Sequence, residues 1–245
     1  PNHSNKSWIT EQFDQMVMTD TAQKSGGNAA VIRIHKKEKC IAVTVDSSAN
    51  YCKAHPLTGG KQIVCESWRN LISVGAKPLA ITNCLNFGNP ENPKVMGEFA
   101  ECLLGVKEAC EFLDYPVVSG NVSFYNGTNK KNIDPTPVIG GVGLIQETKN
   151  RINHLLKKED NIILQVGKTF GHLYQSVFFK EVYSIIDGPP PEVNLSNEKN
   201  NGRTVLNLIN NKLISSAHDI SAGGLILALA EMCMSSGLGL RIEKP

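Results

Sequence analysis

The chain has 245 residues, of which 41% are hydrophobic and 20% are charged, and its formal net charge is +2. This composition is typical of a folded protein with one large domain or two smaller ones. The charge is too small and too scattered to indicate a nucleic-acid-binding protein. No apolar run approaches the roughly 20 residues of a membrane-spanning helix, and no signal peptide is visible. We therefore expect no membrane span.

The seven cysteines include no Cys-x-x-Cys pair, which argues against a zinc knuckle or a thioredoxin-type site. Several of them lie on apolar faces, where a free thiol behaves as a small hydrophobic group. This usage favours a reducing compartment, so we expect a cytoplasmic protein. The chain starts at Pro1 without a methionine, and we expect it to be part of something longer.

The first 27 residues are polar. Their large apolar side chains recur at helix-like spacing: Trp8, Phe13, Met16 and Val17. Residues 28–36 and 40–47 then predict two strands joined by a short charged turn, which indicates a hairpin. Asp46 ends the second strand. It could face a metal ion or simply terminate the strand, and the sequence leaves both readings open.

Residues 55–60 have the composition of a turn, and the apolar face that follows predicts a helix ending at Gly75. Residues 78–87 predict a strand that begins apolar and becomes polar through Thr82, Asn83 and Asn86. Residues 92–113 show the clearest helical pattern, with apolar side chains at three- and four-residue steps.

Residues 117–125 read Val-Val-Ser-Gly-Asn-Val-Ser-Phe-Tyr, which begins as a buried strand and then becomes polar. Gly120 lets another group approach the backbone closely. The neutral oxygens of Asn121 and Ser123 can meet a hydroxyl, a phosphate or a hydrated metal ion. Ser-Gly-Asn is also ordinary turn chemistry, and the stretch by itself favours a turn. The second polar stretch, residues 82–90, shifts the balance towards a ligand site.

Residues 126–136 predict a polar loop, and residues 137–146 predict an apolar, glycine-rich strand. The run Gly140-Gly141-x-Gly143 could suggest a phosphate cradle, but no helix follows it, so we expect close sheet packing instead. Residues 28–146 therefore predict an α/β or α+β layer with helices on one face.

Residues 147–160 are charged and predict a linker or a small turn of helix. Beyond it, the patterns predict strands over 162–167, 213–217 and 237–242 and helices over 171–186, 202–213 and 225–235. These strands are too few for an ordinary sheet, so we expect an incomplete second domain. The predicted division is residues 1–148 and residues 149–245.

Four blocks of the sequence together resemble phosphoribosylformylglycinamidine synthase, in its synthetase subunit or domain. They are residues 76–80, 84–90, 116–126 and 216–225. The resemblance runs from residue 8 to residue 240 in the family's order, and four blocks in register are far more specific than one short motif. The match is to the second half of the synthetase. The first half, with its catalytic histidine segment, has no counterpart in this sequence.

The resemblance implies an aminoimidazole ribonucleotide synthetase-like N-terminal domain, with a mixed sheet and helices on one face, followed by a partial α+β C-terminal domain. In this superfamily the N-terminal domains pair through their sheets into a barrel-like core, and the active site lies at the junction of both halves. The implied partners are the N-terminal half of the same enzyme and a glutaminase subunit or domain, with no nucleic acid and no membrane.

The implied activity is that of an ATP-dependent carbon–nitrogen ligase in de novo purine biosynthesis. The family converts formylglycinamide ribonucleotide to its amidine with ATP, Mg²⁺ and ammonia drawn from glutamine. An amide oxygen is a poor leaving group, so ATP phosphorylates it before ammonia displaces phosphate. Such chemistry depends mostly on positioning and on charge neutralisation by Mg²⁺. We expect the isolated chain to be inactive, because the catalytic histidine lies elsewhere.

By position, the resemblance assigns Asn83 and Gly120 to ATP, Asn121 to Mg²⁺ and Ser123 to the substrate, with no catalytic residue in this chain. The family usually has Asp at the position of Asn83, so a charge is missing there. A neutral Asn is an acceptable but weak Mg²⁺ ligand that would need carboxylates from the other half. His218-Asp219 resembles a metal-binding turn of the family's first half, and a structural role and a non-catalytic nucleotide site both remain open.

Two alternatives stand beside this interpretation. The chain could be a structural half whose sheet edge serves assembly. It could also belong to another ATP-dependent synthetase of the superfamily, such as aminoimidazole ribonucleotide synthetase or selenophosphate synthetase. Residues 84–90 and 120–125 argue against that second alternative.

Overall fold

The computed structural model describes residues 7–13, 18–24, 26–129 and 131–242. In chain order the strands are β1 Thr21–Gln23, β2 Ala30–Arg33, β3 Cys40–Asp46, β4 Lys77–Asn86, β5 Val117–Ser123, β6 Gly127–Thr128, β7 Lys131–Asn132 and β8 Thr136–Ile145. The helices are α1 Ser7–Phe13, α2 Ala49–Ala54, α3 Pro56–Ser73, α4 Pro93–Leu113, α5 Val177–Tyr183, α6 Leu195–Asn210 and α7 Gly224–Ser236, and Thr148–Asn150 forms a 3-10 turn.

A mixed sheet in the strand order β1-β2-β3-β8-β4-β5 organises residues 21–145. The hairpin expected from the sequence is present, with β2 and β3 antiparallel. β8 lies between β3 and β4 and runs antiparallel to both. β4 and β5 are parallel, and the chain between them crosses over through α4, as a parallel pair requires. The expected order of strands and helices is confirmed, with α2 and a small β6–β7 hairpin in addition.

The two long helices begin at capping residues that the sequence supplies. The Asn92 side chain accepts a hydrogen bond from the Lys94 N–H, and Pro93 occupies the first turn of α4. At α3, the ring of His55 accepts from the Thr58 N–H, and Pro56 begins the helix. The expectation of a turn over residues 55–60 is therefore wrong, because a capped proline start turns this stretch into the first turns of α3. Gly75 follows the end of α3 with a φ of +87°, as expected.

The hydrophobic core lies between the sheet and the helices α3 and α4. Alternate residues of β3 and β8 are buried, which shows that one face of each strand packs against the helix layer. Tyr115 is fully buried, and its hydroxyl lies 3.1 Å from Ser67 Oγ. A Cβ at Gly141 would lie 2.2 Å from both hydroxyl oxygens. The glycine run of β8 therefore serves close packing, as expected, and Gly141 makes room for the two hydroxyl groups.

The opposite face of the sheet is not covered by any element of the described chain. Its apolar side chains include Val45, which is 71% exposed, and Val142, which is 38% exposed. Val142 lies opposite Val43 of β3 and Ala80 of β4, so these side chains share one face. The result is a two-layer arrangement with one apolar sheet face open.

Residues 151–242 are built differently from the layer before them. The strands expected over 162–167 and 237–242 are wrong, because these segments have no partner strand in the part of the chain that the structure describes, and they run as irregular chain. The strand expected over 213–217 is reduced to one bridge between Asn153 and Ser216. The helix expected over 171–186 is wrong in length and spans only α5, while α6 begins earlier than expected.

Two expectations fall at the edge of the described chain. α1 contains Trp8, but Met16, Val17 and the side chain of Phe13 lie outside the described residues. Among the described helices, none combines the length and the apolar character needed to cross a membrane.

Candidate functional site

The polar ends of the two strands singled out in the sequence lie side by side. In the parallel β4–β5 pair, Asn83 is opposite Gly120, Cys84 is opposite Asn121, and Asn86 is opposite Ser123. Both strands lose their apolar character at the same end of the sheet. A surface of small, neutral side chains is the result.

β5 is an exposed edge strand, so the expectation of a buried strand over residues 117–125 is wrong. It comes last in the sheet order and has β4 as its neighbour on one side. Val118 is 71% exposed and Val122 is 48% exposed. The apolar run that predicted burial is real, but no element of the described chain covers this edge.

Asn83 and Gly120 are in direct contact on the face that carries α4. A Cβ at Gly120 would lie only 2.2 Å from Asn83 Oδ1, so a larger residue at this position would displace the Asn83 side chain. Asn83 also lines a cleft of about 400 Å³ with residues of α4, among them Lys107 and Glu111. The two residues assigned to ATP therefore form one local unit.

Asn121 and Ser123 lie on the opposite, open face, because paired residues of neighbouring strands share a face. Asn121 is exposed, and its Nδ2 lies 3.9 Å from the sulfur of Cys84. The next pair, Asn86 and Ser123, is half-buried. The structure thus brings the four sequence-predicted residues to one end of the sheet but divides them between its two faces.

The open face offers only a partial set of ligands for a metal ion. Among residues 7–13, 18–24, 26–129 and 131–242, no group of three or more His, Cys, Asp or Glu residues is placed to hold one. Asn121 supplies one exposed neutral oxygen, which suits a hydrated Mg²⁺ as a single ligand. The residues present therefore fit Mg²⁺ only as a partial site, to which carboxylates would have to be added from elsewhere.

Two asparagines of the predicted polar loop, Asn126 and Asn132, hold this end of the sheet together. The amide of Asn126 lies 3.0 Å from the Phe87 carbonyl oxygen and 2.9 Å from that of Ser123. Asn132 accepts a hydrogen bond from the Asn89 N–H at 3.1 Å. The loop composition hides this role, because asparagine is common in loops whether or not its side chain is used.

A second polar cluster joins the end of β3 to the turn before α7. Asp46 accepts hydrogen bonds from Thr44 and Asn70, each at 2.8 Å. Asn28 donates to Asp219 at 2.6 Å. Burial is the main cause that raises the pKa of Asp46 above its ordinary value. Asp46 therefore ends its strand inside a hydrogen-bonded network.

His218 links this cluster to α7. Its Nδ1 lies 3.3 Å from Asp219 and its Nε2 lies 3.1 Å from Glu231. Burial works to lower the pKa of His218, but these two carboxylates outweigh it and raise the pKa. The neighbouring His154 has a lowered pKa, because it is buried and because it faces His218. These residues line a cleft of about 360 Å³ that is formed by a different set of residues from those of the β4–β5 site.

Two family profiles match the chain in sequence. Residues 26–145 match the AIR synthase related protein, N-terminal domain, and residues 158–245 match the C-terminal domain of the same family. The PurL subunit of phosphoribosylformylglycinamidine synthase from Pelagibacter ubique is 60% identical over 244 residues, which is 100% of this chain and 33% of that protein. The PurL subunit from Bradyrhizobium diazoefficiens is 49% identical over 242 residues, with 99% and 33% covered. The chain thus spans about a third of the length of these curated relatives.

Solved structures give the same result. A Thermotoga maritima PurL complexed with FGAR matches with a TM-score of 0.61 and 30% identity, over 85% of this chain and 30% of that one. A Thermotoga maritima PurL complexed with ATP matches with a TM-score of 0.54 and 38% identity, over 61% of this chain and 24% of that one. The chain therefore belongs to the AIR synthase-related protein family, and within that family it resembles the PurL subunits of phosphoribosylformylglycinamidine synthase.

Proposed function

We propose that this chain is part of an ATP- and Mg²⁺-dependent ligase that converts formylglycinamide ribonucleotide (FGAR) to its amidine with glutamine-derived ammonia, in de novo purine biosynthesis. The observation that carries the proposal is the β4–β5 register, which sets Asn83 against Gly120 and Asn86 against Ser123 at one end of the sheet. The resemblance to PurL proteins complexed with ATP and with FGAR supports it.

Asn83 and Gly120 are the proposed ATP contacts. The bare backbone of Gly120 allows a phosphate or a ribose to approach closely. Asn83 already lies against that backbone, so a group bound by one of them meets the other. Since Asn83 is neutral, it contributes hydrogen bonds rather than charge to this contact.

Asn121 is the proposed Mg²⁺ ligand and Ser123 the proposed substrate contact. When bound, Mg²⁺ neutralises the charge that builds up on the phosphates during phosphoryl transfer. The exposed amide of Asn121 can offer its oxygen, while the thiol of Cys84 lies next to its nitrogen. The half-buried Ser123 hydroxyl is held by its neighbours and can orient a polar group of the substrate.

The open sheet face is the proposed contact with the N-terminal half of the same enzyme. Exposed valines on this face, including Val45 and Val142, would be buried by a second sheet. We further propose two domains, residues 1–148 and 149–245, a cytoplasmic location, and a glutaminase subunit or domain as the source of ammonia. The apolar face also favours the alternative of a structural pairing half, which the same contact would serve.

A metal titration of the full-length protein tests the assignment. Asn121→Ala should raise the Mg²⁺ concentration needed for half-maximal activity without changing the thermal unfolding midpoint. Asn207→Ala, an exposed asparagine on α6, is the matched control and should leave metal dependence unchanged. An unaltered Mg²⁺ requirement in the Asn121 variant would remove this residue from the site.

Binding of Mg-ATP separates the ligase from the structural alternative. With the complementary half present, saturable binding supports the ligase, and no saturable binding favours the pairing role. The isolated chain should form no amidine, and measurable turnover by the chain alone would contradict the shared-site proposal.

A further inference from the structure

The turn that follows β5 has an unusual backbone. Tyr125 has a φ of 59°, in the left-handed region that bulky residues rarely adopt. The Tyr125 N–H donates to the Gly88 carbonyl oxygen at 3.0 Å, and the Asn126 N–H donates to that of Phe87 at 3.2 Å. These bonds hold the turn against the end of β4, and they keep Asn126 directly beside Ser123.

The side-chain amide of Asn126 makes a compact set of contacts. Its Nδ2 lies 2.9 Å from the Ser123 carbonyl oxygen, 3.0 Å from the Phe87 carbonyl oxygen and 3.1 Å from Ser123 Oγ. Its Oδ1 lies 3.3 Å from Ser123 Oγ. An amide nitrogen has two hydrogens. Because the two carbonyl oxygens are the closer acceptors, they take both of them.

This arrangement fixes the direction of the Ser123 hydroxyl. With both amide hydrogens used on carbonyl oxygens, the Ser123 O–H donates to Asn126 Oδ1. The lone pairs of Ser123 Oγ then remain available. We infer that Asn126 is a positioning residue, which orients Ser123 so that its oxygen accepts a hydrogen bond from a donor on the substrate, either a hydroxyl or an N–H group.

The inference rests on the proposed function, in which Ser123 contacts the substrate. It adds a residue that acts through Ser123, and it gives the chemical character of the substrate group that Ser123 meets. A purely structural role for Asn126 would predict lost stability without any selective effect on the substrate.

The test is a double-mutant cycle in the full-length protein, with ammonium as the nitrogen source. Ser123→Ala and Asn126→Ala should each raise the KM for formylglycinamide ribonucleotide about three- to tenfold, the value of one hydrogen bond. The double variant should show no further rise, because both changes remove the same contact. The KM for ATP should stay within about twofold of the wild-type value in all three variants, because a change of that size is smaller than the loss of one hydrogen bond would cause.

Asn132→Ala is the matched control. Asn132 lies in β7, close to Asn126 in sequence, and accepts a hydrogen bond from the Asn89 N–H in the turn after β4, but it makes no hydrogen bond to Ser123 within the described chain. It should change the thermal unfolding midpoint without changing the KM for the nucleotide substrate. Asn126→Ser, which shortens the side chain and replaces its amide with a hydroxyl, provides the same measurement if Asn126→Ala does not fold.

The outcomes distinguish this inference from the proposed function. A raised KM in Ser123→Ala with an unchanged KM in both Asn126 variants overturns the inference alone. The inference is also overturned if the increase in KM of the double variant equals the product of the increases in the two single variants. An unchanged KM in Ser123→Ala overturns both the inference and the substrate contact on which it rests.

Discussion

Residues 30–145 and residues 151–242 have similar apolar sequence patterns, but their apolar side chains are buried to different extents. In the layer of residues 30–145, Leu71, Ile81 and Ile139 are fully buried between the sheet and the helices. In residues 151–242, Ile162 and Phe170 are each 85% exposed. Some side chains of this second region are buried, and Ile209 of α6 is one of them, since it packs into the first region beside Gly75.

The difference shows that an apolar pattern becomes an element only where a partner exists. β3, β8 and β4 complete one another's backbone hydrogen bonds, and α3 and α4 cover one face of them. Residues 162–167 have the composition of a strand but have no neighbouring strand in the described chain. An extended backbone would therefore form no hydrogen bonds to another strand there. Stability should therefore be concentrated in residues 30–145.

A pair of leucine truncations gives the largest contrast between the regions. Leu71→Ala removes a fully buried side chain from α3 and should lower the free energy of unfolding by about 3 kcal/mol. Leu164→Ala, at a side chain that is 68% exposed, should change it by less than about 0.5 kcal/mol. Denaturant unfolding measures both, and equal losses would show that residues 162–167 are packed in solution.

A second contrast lies within the layer, at two glycines of α4. A Cβ at Gly105 would lie 2.1 Å from the Leu57 carbonyl oxygen, so Gly105→Ala should push α4 away from α3 and cost about 2 kcal/mol. Gly97 has open space around it, and Gly97→Ala should stabilise the helix by about 0.5–1 kcal/mol. Thermal unfolding of the two variants should therefore shift in opposite directions. A shift in the same direction would mean that the close approach of the two helices does not limit stability.

The same contrast explains how much the sequence could predict. Apolar runs predicted β3, β4 and β8 closely, and helical periodicity predicted α4, because in that region each local preference agrees with its neighbours. The predictions of strands over 162–167 and 237–242 were wrong because a strand needs a partner strand, and the local sequence does not show whether one is present.

The candidate site divides along similar lines. The polar ends of β4 and β5 were identified from composition, and the register brings Asn83 to Gly120 as needed. The exposure of β5 could not be predicted, since it depends on which strand lies at the edge of the sheet. The placement of Asn121 on the opposite face from Asn83 could not be predicted either, since it depends on the register between β4 and β5. Asn126 was missed because nothing in a polar loop marks the side chain that folds back onto Ser123.

An ion pair joins the two regions and allows their coupling to be measured. Arg69 of α3 lies 2.9 Å from Glu198 of α6, and both side chains are mostly buried. Glu198→Gln leaves a charged guanidinium without its partner and should cost about 2 kcal/mol. Glu111→Gln is the control, because its 3.9 Å pair with Lys107 is exposed and should contribute less than about 0.5 kcal/mol. Hydrogen exchange should show faster opening of α6 in the Glu198 variant, and unchanged α6 protection would mean that the regions are held together by apolar contacts alone.

The smallest expected effect is a pH dependence of the free energy of unfolding, which involves charged residues of both regions. The pKa of Glu66 is raised from 4.5 to about 7, mainly by burial and also by the charges of Asp46 and Asp219, against the opposing effect of Arg69. Because the folded state binds this proton more tightly than the unfolded state, the stabilisation is complete below pH 4.5 and is lost as the pH rises through about 7.

Between those two pH values the free energy of unfolding should fall by about 1–2 kcal/mol more in the wild type than in Glu66→Gln, after allowing for the partial exposure of this side chain. Urea unfolding at a series of pH values measures the difference between the two proteins, which cancels the contribution of every other titrating group. Asp219→Asn should move the transition to lower pH, since it removes a negative charge that faces Glu66 from the second region. If Asp219→Asn leaves the transition in place, the turn before α7 does not stay near α3 in solution, and the two regions are less closely joined than the Arg69–Glu198 pair indicates.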